Sequence, residues 1–226
     1  MENGFMEVPT RSGPLPSRVF AAEAPRAALV FAHGAGAGQD HPWMRGRASD
    51  LQSRGVTVVT FDFPYKAQGR RAPDRAPVLV GAFRDVVAHA APRFACPLLI
   101  GGKSMGGRMA TMLAAEPDLH EGVIGVVSMG YPLHPPGRPD QLKVAHLPRI
   151  QIPWLVIQGT RDPFGSPSDI REACAGVGAT PTIMAIDQGG HGFEIPKRVG
   201  AQADVFASVA EGTVGWLDTL LSASGQ

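Results

Sequence analysis

Short, continuously apolar runs that end in glycine-rich turns constrain this chain more than any other feature. They occupy residues 27–32, 56–61, 97–101, 122–129, 154–157 and 182–186. Runs of that length without polar alternation suit strands buried on both faces. Between them the apolar residues change period. Leu79, Phe83, Val86, Val87 and Ala90 recur at helical spacing, with Pro92 as the limit. Met105, Met109, Met112 and Leu113 make a second helical face, and Val209, Thr213, Trp216, Leu217 and Leu220 a third. Residues 41–54 and 168–177 also read as helices. The alternation predicts an α/β fold: a mostly parallel sheet with helices on both faces. Residues 5–8 and 17–23 are expected as short edge strands, with Pro14 and Pro16 between them. No repeat, low-complexity tract or linker divides the 226 residues, so one domain over 1–226 is expected, without a large cap domain.

In open α/β sheets, ligands gather at the carboxyl ends of the strands. The segments that follow the strands are therefore the informative ones. After 97–101 comes Gly102-Lys103-Ser104-Met105-Gly106, a G-x-S-x-G between a buried strand and an amphipathic helix. Small residues two before and two after a serine let the backbone close into the sharp turn that exposes its hydroxyl as a nucleophile. After 27–32 comes His33-Gly34-Ala35-Gly36-Ala37-Gly38, read as an oxyanion loop in which the Ala35 and Met105 amides would stabilise charge on a carbonyl oxygen. After 154–157 comes Asp162, placed where the acid of a Ser, Asp, His order belongs. After 182–186 comes His191, between Gly190 and Gly192. Asp187, four residues before His191, is the rival acid. Ser104, His191 and Asp162 are thus the expected nucleophile, base and orienting acid.

Other chemistries fit less well. A phosphate-binding P-loop needs a flexible, glycine-led stretch before Gly102-Lys103-Ser104, where the chain has Pro97 and then Leu-Leu-Ile. A dinucleotide fingerprint needs a glycine at position 39, where Gln39 stands. No histidines and carboxylates lie at metal-ligand spacing, so neither a metal nor an organic cofactor is expected. Lys and Arg number 21 against 20 Asp and Glu, with no basic block, which argues against nucleic-acid or membrane partners. Cys96 and Cys174 form no disulfide framework, and Cys96 reads as a core residue. The first residues lack the pattern of a signal peptide and no segment is long enough to span a bilayer, so a cytoplasmic monomer or small homo-oligomer is expected.

Taken together, the motifs 33–38, 101–108 and 159–165 resemble the α/β-hydrolase superfamily. Within it they look like the small branch of testis-expressed hydrolase-like proteins and the hydrolase-like part of a nonspecific-lethal-complex subunit. That branch is related to dienelactone-hydrolase-like enzymes. The type members of that group use a cysteine where this chain has Ser104, so dienelactone chemistry does not carry over. The resemblance spans about residues 25–220 and implies the fold and the Ser-His-Asp set rather than any substrate.

The expected function is esterase-like cleavage of small esters or thioesters. A peptidase or lactonase remains open, as does an idle hydrolase fold that binds a partner. The pocket walls are expected from Trp43, Phe164 and Phe193, which adjoin the three motifs, and from Tyr131, Leu133 and His134 of the proline-rich connection 130–153. His41 is a further candidate. With six prolines, that connection cannot form a helical cap, so a shallow, open site for short acyl groups is expected.

Overall fold

The computed structural model describes residues 3–224. The expectation of a domain over 1–226 therefore includes residues 1, 2, 225 and 226, which lie outside that description. The apolar runs form the middle of one eight-stranded sheet. In chain order the elements are β1 (Gly4–Val8), β2 (Leu15–Phe20), β3 (Ala27–Ala32), α1 (Pro42–Gln52), β4 (Val56–Phe61), α2 (Pro64–Ala67) and α3 (Ala76–Ala90). Then follow β5 (Leu98–Lys103), α4 (Met105–Ala114), β6 (Val123–Met129), β7 (Trp154–Gly159), α5 (Pro167–Ala175), β8 (Thr182–Ile186) and α6 (Gln202–Ser224). The strand order is β1-β2-β4-β3-β5-β6-β7-β8. β1, β2 and β4 pair antiparallel. From β4 onward every pairing is parallel.

Every residue of β3, β4 and β7 is buried, as unbroken apolar runs require. Side chains alternate between two cores. One lies beneath α3 and α4 and includes Val30, Ile100, Phe83, Met109 and Val126. The other lies beneath α1 and α6 and includes Leu29, Leu99, Val127, Leu51 and Trp216. Gly125 marks the close approach of α6: a Cβ there would sit 2.7 Å from the Trp216 ring. Among the described residues no helix is long and apolar enough to cross a membrane.

The structure departs from expectation in several places. β2 lies inside the sheet between β1 and β4, so only β1 is an edge on that side. A short helix, α2, also follows β4, started by Pro64 at its first turn. α6 starts well before Val209. Cys96 is only partly buried. His146 is buried, and its Nε2 meets the Thr111 hydroxyl at 2.9 Å. That hydroxyl donates to the Arg108 carbonyl at 2.8 Å, so it accepts from the Nε2–H of a neutral ring.

Burial, with Arg108 and Arg149 nearby, holds His146 down at about 4. The unfolded chain therefore takes up a proton near the ordinary histidine value that the folded chain refuses. Stability is full above roughly pH 6.5 and falls as the pH drops toward 4. His146→Gln is expected to reduce that acid-side loss by on the order of 1–3 kcal/mol, measured by urea unfolding at pH 7 and pH 4.5. His33, also lowered by burial, leaves a residual slope.

Candidate functional site

Ser104 sits between β5 and α4 with φ 51° and ψ −116°. Non-glycine residues rarely adopt such a conformation, and it persists because the surroundings over-determine it. The Ser104 amide donates to the Met129 carbonyl at 3.0 Å, which ties the turn to the end of β6. The flanking glycines have a steric cause. A Cβ on Gly102 would lie 2.6 Å from the Ala32 carbonyl oxygen, and one on Gly106 2.3 Å from the same atom. α4 can start against β3 only if both positions lack side chains.

His191 lies on the loop after β8 and meets Ser104 directly: Nε2 is 2.8 Å from Oγ. Its Nδ1 is 2.8 Å from Asp162 Oδ2. The Asp162 side chain has 0% exposure. It accepts further bonds from Gln158 Nε2 at 2.9 Å and the Phe164 amide at 2.9 Å. A carboxylate fixed by these donors can accept only the Nδ1–H tautomer of His191, which leaves Nε2 facing the hydroxyl. The three residues expected to act together are therefore in contact, and Asp187 is exposed and takes no part.

The Ala35 and Met105 amides donate to no acceptor among the described residues. Two groups hold the loop that carries Ala35. The Tyr65 hydroxyl donates to the Ala35 carbonyl at 2.9 Å. His33 Nδ1 lies 2.8 Å from the Gly34 carbonyl, while its Nε2 accepts from the Phe63 amide at 3.0 Å, so the ring is a neutral Nδ1–H tautomer. Burial lowers its pKa accordingly. Gln39, which spoiled the dinucleotide fingerprint, is a buried strut: its amide bonds the Pro16 carbonyl and accepts from Thr60.

A cavity of about 440 Å³ opens beside Ser104, walled by Ala35, His41, Trp43, Met44, Phe164 and His191. Trp43 and Phe164 thus stand where the sequence placed them. Four expected wall residues do not. Phe193 is fully buried beneath Trp43, with ring centroids 6.0 Å apart. Tyr131 is fully buried against Trp154, and its hydroxyl donates to the Lys143 carbonyl. Leu133 is buried, and His134 edges a separate depression with Pro139 and Leu142. For the three residues of the connection after β6 the cause is Gly130. Its φ of +69° turns the chain away, and Gln158 then grips the Tyr131 backbone from both sides. The connection 130–153 contributes no wall to the cavity. Among the described residues no cluster of three or more His, Cys, Asp or Glu side chains is placed to hold a metal.

With the geometry in place, comparison with known proteins is informative. The family model described as Alpha/beta hydrolase domain matches residues 25–218. The chain belongs to the α/β hydrolase domain family. Its fold resembles that of an α/β serine hydrolase without lid from Xanthomonas campestris, with 22% identity, a TM-score of 0.76 and coverage of 96% of this chain and 95% of that one. It also resembles a dienelactone hydrolase from Anabaena variabilis, with 22% identity, a TM-score of 0.75 and coverage of 97% and 98%. An esterase domain from Rhodothermus marinus shares the fold at 17% identity, a TM-score of 0.70 and coverage of 96% and 98%. In sequence the chain is 31% identical over 163 residues to Mycobacterium tuberculosis proteins named as candidate phosphoribosyl transferases. The match takes in 69% of this hydrolase-family chain and 35% of theirs, so the chain spans about a third of the length of these curated relatives.

Sequence reasoning missed Gln158, a fully buried amide that makes four bonds, to Tyr131 N and O, Gly165 O and Asp162. A polar residue at the end of an otherwise apolar strand was the available signal. Gln158→Leu takes the bonding partner from the Tyr131 amide and the Gly165 carbonyl and one donor from a buried carboxylate. It is expected to cost about 3 kcal/mol of stability, read from denaturant unfolding.

Proposed function

We propose that this chain is a serine hydrolase that cleaves small esters or thioesters through Ser104, His191 and Asp162. The observation that carries the reading is the continuous bonded path from buried Asp162 through His191 to the strained Ser104 hydroxyl. In this scheme His191 Nε2 takes the hydroxyl proton as Ser104 Oγ attacks the acyl carbon. Charge develops on the carbonyl oxygen, and the Ala35 and Met105 amides receive it without reorganisation. Asp162 holds the ring tautomer and stabilises the imidazolium. His191 then protonates the leaving group, and the acyl-enzyme is hydrolysed by a water that gives its proton to the same nitrogen. The narrower placement near the testis-expressed and nonspecific-lethal-complex branch rests on the motifs alone and forms part of the proposal.

Two experiments test it. Wild-type protein is expected to be labelled by a fluorophosphonate and to hydrolyse p-nitrophenyl acetate. Ser104→Ala should lose the label and about 10⁴-fold or more in kcat while keeping its circular dichroism spectrum. Equal turnover by a folded Ser104→Ala protein refutes the assignment. A folded wild type that neither labels nor turns over points instead to a binding role.

Substrate size follows from the cavity. At about 440 Å³, walled by Trp43, Phe164 and Met44, it holds a short acyl group or a single ring. A longer chain leaves its tail in water and forgoes about 0.8 kcal/mol for each CH₂ not buried. Across p-nitrophenyl esters from C2 to C16, kcat/KM is expected to peak below eight carbons. A maximum at longer chains overturns the size argument and leaves the nucleophile assignment untouched.

A further inference from the structure

His191 stands on a loop with little stiffness of its own. Gly189, Gly190 and Gly192 surround it, and each leaves the backbone more freedom than another residue would. Phe193 adds strain: it is fully buried at φ +66°, a region that bulky residues avoid. Yet the His191 ring must meet Asp162 Oδ2 and Ser104 Oγ at 2.8 Å each. The loop backbone therefore has to be held by its surroundings.

Several bonds contribute. The Arg161 amide holds the Gly189 carbonyl, and Gln202 Nε2 holds that of Phe193 at 2.8 Å. The Glu194 carboxylate accepts from the Gly192 amide within the loop, and the Lys103 ammonium donates to the His191 carbonyl. One further tie starts from the cavity wall. Trp43, 149 residues away in the chain, donates its Nε1–H to the Gly192 carbonyl at 2.9 Å. That carbonyl accepts from no other group among the described residues. The Trp43 ring also packs on Phe193, with centroids 6.0 Å apart, and is backed by Phe31 at 6.4 Å. One side chain thus grips the two residues that follow the base, Gly192 by a hydrogen bond and Phe193 by packing. At its other end Trp43 belongs to the first turn of α1, which continues the loop after β3. The His41 amide donates to the Gly38 carbonyl at 3.2 Å, and the Trp43 amide to His41 Nδ1 at 3.2 Å.

We infer that Trp43 is a positioning residue that ties the His191 loop to α1 and, through it, to the loop carrying the Ala35 amide. Base and oxyanion donor then keep one geometry around the acyl group. The inference deepens the hydrolase reading and rests on it for its consequence in rate. Without the tie, the glycine-rich loop samples arrangements in which Nε2 no longer faces the Ser104 hydroxyl. Only the aligned fraction reacts, so the loss falls on kcat. The contact of the Trp43 ring face with the acyl group is a separate contribution, and losing it would raise KM. A phenyl ring keeps most of that face and packs on Phe193, but it has no N–H to donate. Substitution by phenylalanine therefore separates the two roles.

The test compares full-length wild type and Trp43→Phe in two measurements, kinetics with p-nitrophenyl acetate and amide hydrogen exchange across the loop 188–194. Trp43→Phe is expected to lower kcat about three- to tenfold, the worth of one hydrogen bond, with KM within about twofold of wild type. Exchange at the Gly190, Gly192 and Phe193 amides should quicken by a similar factor while α4 exchanges as before. A raised KM at unchanged kcat makes Trp43 a wall alone and overturns the inference. So does unchanged exchange in the loop, or faster loop exchange without loss of kcat. Faster exchange in α4 as well marks a general loss of stability and also overturns it. Should Trp43→Phe fail to fold, 3-benzothienylalanine placed at position 43, which replaces the N–H by sulfur at nearly constant size, is judged by the same criteria. Failure of the hydrolase reading appears instead in the wild type, as absent fluorophosphonate labelling, whereas loop exchange judges the tie without any turnover.

Discussion

The site depends on a backbone contact with no room for a side chain. At Gly102 and Gly106 the end of β5 and the first turn of α4 press against the Ala32 carbonyl of β3, at distances a Cβ cannot share. That contact lets a helix begin one residue after a strand ends, and the transition forces Ser104 into positive φ. The strained turn points the hydroxyl out of the sheet's edge, and the same closeness sets the loop after β3, with its Ala35 amide, beside it. A methyl group at either glycine would push α4 off β3 and separate Ser104 from the Ala35 amide together. Ser104 and Ala35 are thus positioned by one packing event.

The acid side of the site is built differently, from buried polar bonds. Gln158 is the penultimate residue of β7, and its amide joins the turn carrying Asp162 to the start of the connection after β6. Each of these groups would be costly to bury alone, and together they satisfy one another. The network explains why the connection 130–153 runs away from the cavity. Tyr131 is drawn under the sheet edge by backbone bonds to Gln158, and its ring gains burial against Trp154. A site with no cap follows from this polar hub as much as from the prolines.

Much of this was legible in the sequence because its causes are local. Unbroken apolar runs require strands with two covered faces, and small residues around Ser104 require a tight turn. The order of Ser104, Asp162 and His191 after successive strands follows from the connectivity of a parallel sheet. What was not legible depends on which way a side chain turns. Tyr131, Leu133 and Phe193 lie close in sequence to site motifs, but apolar burial and the positive φ of Gly130 and Phe193 send them inward. The roles of Tyr65 and Gln158 come from contacts across 30 and 27 residues, and no local pattern announces them.

The placement of the acid shows how burial, rather than proximity in sequence, selects a partner for His191. Asp187 is nearer along the chain, and β8 aims it at the same edge of the sheet. But β8 is the last strand, and Asp187 remains in water. A solvated carboxylate is screened, is free to rotate, and holds a ring weakly. Asp162 follows β7, one strand closer to β5, where Gly159 lets the chain pass within contact of the Gly189 carbonyl. The Arg161 amide then bonds that carbonyl at 2.9 Å, tying the acid turn to the histidine loop. With its side chain fully withdrawn from solvent, Asp162 has fixed donors on both oxygens and a strong field at Nδ1.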